Sequence, residues 1–189
     1  MRNALLIGAA ALALLACSRQ EPAATSQASE PSAATDASDR LDRILEALPE
    51  SAKARFKYRH PKETLEFFGI VPGMTVVDTL PGEIWYTGIL LDYLGPEGKV
   101  IGADYSVQMW SLFGPNAPAP GVKEKWTSEF LQQAASWRDE GDAQLGAVQY
   151  GNVPDELAGT VDVVLLIRAM HHLMRFESQG GHLTQALAD

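Results

Sequence analysis

Two aspartates in this sequence stand where a carboxylate can hold a ligand. Asp78 ends the apolar run Val76-Val77-Asp78, and Asp104 ends Ile101-Gly102-Ala103-Asp104. In open parallel sheets, ligands bind beyond the carboxyl ends of the strands, where an acid can accept hydrogen bonds from ribose hydroxyls. Asp78 is followed by Pro81-Gly82 and then Trp85-Tyr86-Thr87, so a turn and a helix start meet there. Gly82 allows close backbone approach, and free N–H groups at the helix start suit a carboxylate or phosphate. The plainer reading of Asp104 is a turn residue with its side chain in water. A third apolar run, 161–167, leads into Arg168-Ala169-Met170-His171-His172. Imidazole titrates near neutrality, so His171 or His172 can serve as a general base or a substrate hydrogen-bond partner. Adjacent side chains diverge, so one of the two is expected to face a pocket. A capping or buried histidine bonded to backbone is an equally weighted alternative. Two neighbouring histidines lack the further ligands a metal needs, and no metal site is expected.

The elements that must position these residues follow from periodicity. Segments 74–80, 99–105, 146–152 and 161–169 are rich in Val, Ile or Leu and read as strands. Helical segments separate them: 85–94 closed by Gly95, a longer one over 122–138, and one starting at Leu183. The alternation implies a parallel sheet with right-handed crossovers, in an α/β fold. Upstream, Leu41, Ile44, Leu45 and Leu48 recur at helical spacing, and Pro61 with Gly69 brackets a short helix. Between them lies a basic patch of Lys53, Arg55, Lys57, Arg59 and His60. It reads equally as a solvated or headgroup-facing surface and as part of a site.

The 189 residues carry 15 basic and 24 acidic side chains, a net charge of −9, with 46% hydrophobic residues. This permits one globular domain, and the lack of a basic stripe argues against nucleic acid as a partner. The single cysteine, Cys17, excludes an internal disulfide. Residues 4–16 form an apolar run too short to span a bilayer and read as part of a signal peptide over residues 1–16. The run ends Leu14-Leu15-Ala16-Cys17, which resembles the lipobox of bacterial lipoproteins. That resemblance implies acylation of Cys17 and a membrane partner through the lipid. With Ser18 following, it implies a place in the cell envelope on the periplasmic face of the outer membrane. Residues 17–38 are dominated by Ala, Ser, Thr, Pro, Gln and Glu and are expected to be a disordered tether, with the folded domain over 39–189.

The run Tyr58-Arg59-His60-Pro61, Glu63-Thr64-Leu65, Phe67-Phe68-Gly69-Ile70, Pro72-Gly73-Met74-Thr75-Val76-Val77-Asp78, Pro81-Gly82 and Trp85-Tyr86-Thr87 resembles a group of predicted exported methyltransferases. These belong to the class I, Rossmann-like S-adenosylmethionine-dependent methyltransferases, and the resemblance implies a three-layer, doubly wound α/β fold with strand order 3-2-1-4. The resemblance implies S-adenosylmethionine as the small-molecule methyl donor and an unidentified acceptor. It maps the methionine moiety to Asp78 and Gly82, the ribose to Asp104, and the adenine amine to Asn152 or, second, Asp155. It places His171 or His172, and Tyr86, beside the acceptor. The sequence departs from the family in two ways. Leu80 and Ile84 stand where glycines are expected, and the chain resembles a C-terminally truncated form that lacks the family's last three strands. A non-catalytic, degenerate binding lipoprotein of the same fold is the alternative function.

Overall fold

Val76, Val77, Val100 and Ile101 are apolar on both sides of their backbone, the pattern of strands covered on two faces. The computed structural model describes residues 31–119, 121–178 and 180, and these residues build four parallel strands between helices. They are β1 (Thr75–Thr79), β2 (Lys99–Asp104), β3 (Gln144–Gln149) and β4 (Val163–Leu165). Their order is β3-β2-β1-β4, a Rossmann-like arrangement. The register sets Asp78 beside Gly102 on one side and Leu165 on the other, and Asp104 beside Gln149. β3 starts two residues before the expected segment 146–152 and stops three residues short of its end. β4 is much shorter than 161–169, because the chain turns after Leu165 and Arg168 takes a left-handed φ of 58°.

Eight helices accompany the described strands. α1 (Pro31–Ala47), α2 (Glu50–Lys53), α3 (Phe56–Arg59) and α4 (Pro61–Phe67) precede β1. α5 (Trp85–Leu94) links β1 to β2 and matches the expected 85–94. α6 (Val107–Ser111) and α7 (Trp126–Ala135) lie between β2 and β3, and α8 (Met170–Ser178) follows β4. The expected helix over 122–138 is thus a single 3-10 turn at Lys123–Lys125 followed by α7. One face of the sheet packs Val76, Val100 and Leu165 against Leu41, Leu65, Ile89 and Leu90. The other packs Val77, Ile101 and Ala103 against Tyr105, Phe113, Leu173 and Phe176. Fully burying each such aliphatic side chain contributes about 1.5–3 kcal/mol.

The tether boundary needs correction. Residues 31–38 were expected to be disordered, yet they are the opening turns of α1. Ala37 is buried in register with Leu41, Ile44 and Leu45, and the Ser38 hydroxyl donates to Glu66 Oε1 at 2.7 Å. Alanine loses no side-chain entropy in a helix, so a small-residue segment can extend a helix whose later turns are anchored. The expected signal peptide, Cys17, the tether up to residue 30 and the helix from Leu183 lie outside the described residues. Among the described residues no helix is long and apolar enough to cross a membrane.

Candidate functional site

The strand tips of β1 and β2 meet at the segment Thr79-Leu80-Pro81-Gly82-Glu83-Ile84. Its backbone is unusual: Leu80, Gly82 and Ile84 all have positive φ, at 52°, 59° and 53°. Glycine takes that conformation freely, while a left-handed β-branched residue is an outlier. Leu80 and Ile84 are thus two non-glycine residues in glycine-like backbone, on either side of Gly82. Ile84 does not obstruct the loop surface, because its side chain is buried against Phe130 and Ala134 under α7. Strain of this kind persists where the surroundings over-determine it, and it gathers at functional sites.

Asp78 is buried, and its Oδ2 accepts the Thr87 hydroxyl at 2.7 Å. Burial pushes its carboxyl up to about 6, opposed by the Thr87 hydroxyl and backbone N–H, which favour the charged form. Asp78 thus ties the start of α5 to the tip of β1. Asp104 is also buried, with Oδ1 accepting the Tyr105 N–H at 2.7 Å and Oδ2 paired with Lys123 Nζ at 2.7 Å. The same ammonium lies 4.4 Å from the centre of the Trp110 ring.

A cleft of ≈ 600 Å³ opens beside Asp104. That volume falls within the roughly 300–1,000 Å³ typical of small-molecule sites. Tyr105, Trp110 and Phe113 form an aromatic wall, with Tyr105 and Trp110 edge to face at 5.1 Å. Two polar atoms of this wall, Tyr105 Oη and Trp110 Nε1, are buried with no hydrogen-bond partner among the described residues. Orphaned buried donors are rare in native structures, and a polar ligand is one way to satisfy them. Gly82 and Leu80 form the near rim, Phe130 and Gln133 of α7 line the site, and His172 and Arg175 of α8 contribute to it.

A second pocket of ≈ 410 Å³ lies on the other side of the same loop, sharing Leu80, Pro81, Gly82 and His172 with the first. Asp78, Tyr86, His171, Arg55, Arg59 and Arg168 also line it. The Tyr86 hydroxyl donates to the Arg59 carbonyl at 2.9 Å, and burial pushes its pKa up. Tyr86 is therefore committed to holding α3 against α5 and offers the pocket mainly its ring. The two imidazoles lie 4.0 Å apart, centre to centre, and both line this pocket. Adjacent helical residues were expected to diverge, but His171 and His172 occupy the first turn of α8, where both reach the strand tips. Partial burial, His171 and Arg175 all hold His172 below its ordinary pKa.

The structure brings Asp78, Gly82, Asp104, Tyr86, His171 and His172 around one loop. Asn152 and Asp155 are not with them: both are exposed and line neither pocket, and the polar side chains of Asn116 and Gln133 border the larger cleft instead. Lys123, Trp110 and Arg175 were not foreseen, since no motif marks residues delivered by crossover segments. Arg55 and Arg59 belong to the basic patch noticed in the sequence, and only chain packing shows that they, and not Lys57, reach the pocket. Among the described residues no group of His, Cys, Asp and Glu has a metal-holding arrangement. Compared with known proteins, the chain matches no family model, no curated protein and no solved structure.

Proposed function

We propose that this protein binds S-adenosylmethionine in the larger cleft and transfers its methyl group to an acceptor in the smaller pocket. One observation carries the reading: two pockets of unlike chemistry, one aromatic with an acid at its base and one cationic, share the Leu80-Pro81-Gly82 wall. The donor and acceptor of a group transfer need such adjacent compartments, because alignment supplies most of the catalysis. Bound S-adenosylmethionine supplies an electrophilic methyl on a sulfonium, which departs as a neutral thioether when an acceptor lone pair attacks the carbon.

The residues fit that ligand. Asp104 would accept ribose hydroxyls in exchange for Lys123, the Tyr105–Trp110–Phe113 wall offers an apolar face for adenine, and Gly82 lets a ligand approach the backbone closely. Asp78 fixes the helix start, and His171 or His172 can take the proton released by the acceptor. A further part of the proposal is that Cys17 is acylated and holds the protein on the periplasmic face of the outer membrane. Its support is the apolar run that ends at the cysteine.

Isothermal titration of the purified protein with S-adenosylmethionine and S-adenosylhomocysteine tests the reading. Saturable binding of either at micromolar concentration is expected, with fluorescence quenching of Trp110. No binding up to millimolar ligand would remove the proposal. A second reading, a non-catalytic binding protein of the same fold, is favoured by the Lys123–Asp104 pair, which already uses the carboxylate intended for ribose.

A further inference from the structure

We propose that the smaller pocket is an oxyanion subsite, so that the methyl acceptor carries a carboxylate or phosphate group by which it is anchored. The inference rests on the methyl-transfer reading and adds the substrate class. The whole chain has a net charge of −9, yet three arginines, Arg55, Arg59 and Arg168, line this one pocket. Arg55 pairs with Glu83. Neither Arg59 nor Arg168 forms a salt bridge within 4.0 Å among the described residues, and Arg59 acts on Glu83 only as a more distant charge.

The carboxylates at the pocket do not cancel this charge. Glu83 is matched by Arg55, and Asp78 is turned into the start of α5, where Thr87 takes its Oδ2. Two helices also begin at this pocket: Trp85 and Tyr86 are in the first turn of α5, and His171 and His172 are in the first turn of α8. Helix starts carry partial positive charge, which favours an anion; at α5 Asp78 already takes part of it, which leaves the start of α8 for a ligand. Arg168, two residues before α8, is held in a left-handed backbone conformation and lines the pocket. A planar guanidinium fork matches the two oxygens of a carboxylate or phosphate. The imidazoles at the pocket's edge leave the reacting atom of the acceptor near a proton carrier while its anionic group is gripped elsewhere.

The test uses the full chain, with inorganic phosphate and acetate as separate probes at constant ionic strength. The reporters are the His171 and His172 ring resonances in NMR spectra. Saturable shifts with at least one probe are expected, and the probe that saturates at lower concentration identifies the anchoring group. Arg59→Gln and Arg168→Gln should each weaken that binding about tenfold or more, while Arg43→Gln on the outer surface of α1 should leave it unchanged. The shifts should persist with S-adenosylhomocysteine bound. Absence of a saturable shift with both probes overturns the proposal. Mutual displacement of anion and S-adenosylhomocysteine also overturns it, because the arginines would then serve the donor's own carboxylate. Anion binding without any S-adenosylhomocysteine binding would instead sink the methyl-transfer reading, and the acceptor assignment with it, leaving a plain anion site.

Discussion

Asp78 and Asp104 show how two acids at equivalent strand tips acquire different jobs. Asp78 is surrounded by the protein interior and satisfied by Thr87, so its folded-state pKa rises from 3.8 to about 6. A raised carboxyl means the folded state holds the proton more tightly than the unfolded state. Its stabilising contribution is therefore full below the unfolded pKa and is lost as pH climbs through about 4 to 6. Relative to Asp78→Asn, the native protein should lose on the order of 3 kcal/mol across that window. Urea unfolding of both proteins at pH 4 and pH 7 checks this, and parallel pH curves would contradict it. Asp104 instead faces the cleft with Lys123 on it. If the pair competes with ribose, Lys123→Met should tighten S-adenosylmethionine binding about tenfold, and Asp104→Asn should weaken it by about 1–3 kcal/mol. Weaker binding by Lys123→Met in calorimetry would make the lysine a ligand contact and not a competitor.

At the scale of elements, the segment from β1 to α5 carries both the backbone strain and the ligand rim. Ile84 combines a left-handed φ, which costs about 1–2 kcal/mol, with complete burial between α5 and α7. Removing a buried aliphatic side chain costs about 2–5 kcal/mol. Ile84→Gly should therefore lower stability by a net of about 1–3 kcal/mol, because the relief of strain offsets only part of the lost packing. Since the side chain lines neither pocket, ligand affinity should stay within twofold. Thermal melts and titration of the same variant separate the two effects. The contact of α7 with β2 is equally close. A Cβ on Gly102 would overlap the Phe130 ring, so Gly102→Ala should destabilise by about 1–3 kcal/mol as α7 is pushed off the sheet. An unchanged melting temperature would mean that Phe130 can move aside at little cost.

For the whole molecule, the architecture gathers three separated parts of the chain around one loop: the basic segment before β1, the crossover through α6 and α7, and the start of α8. Among the described residues no helix is long and apolar enough to cross a membrane, and the proposed membrane attachment runs through Cys17. Cys17→Ser should move the protein from the membrane fraction to the soluble periplasm or leave the precursor uncleaved. Persistence in washed membranes without lipid, by mass spectrometry, would refute acylation. The sequence alone determined the alternation of strands and helices and the two strand-tip acids, which follow from local signals: apolar runs and Pro and Gly punctuation. The order 3-2-1-4 was legible only through the family resemblance, because alternation and crossover handedness leave several strand orders open. The sequence also marked Leu80 and Ile84 as out of place, but not why they are tolerated. Only tertiary structure decided that the Ile84 side chain lies in the core, that Lys123 reaches Asp104, that both histidines face one pocket, and that Asn152 stays outside. Each of these depends on how segments distant along the chain pack against one another. Periodicity reports only which side of an element is apolar, not which neighbour it meets.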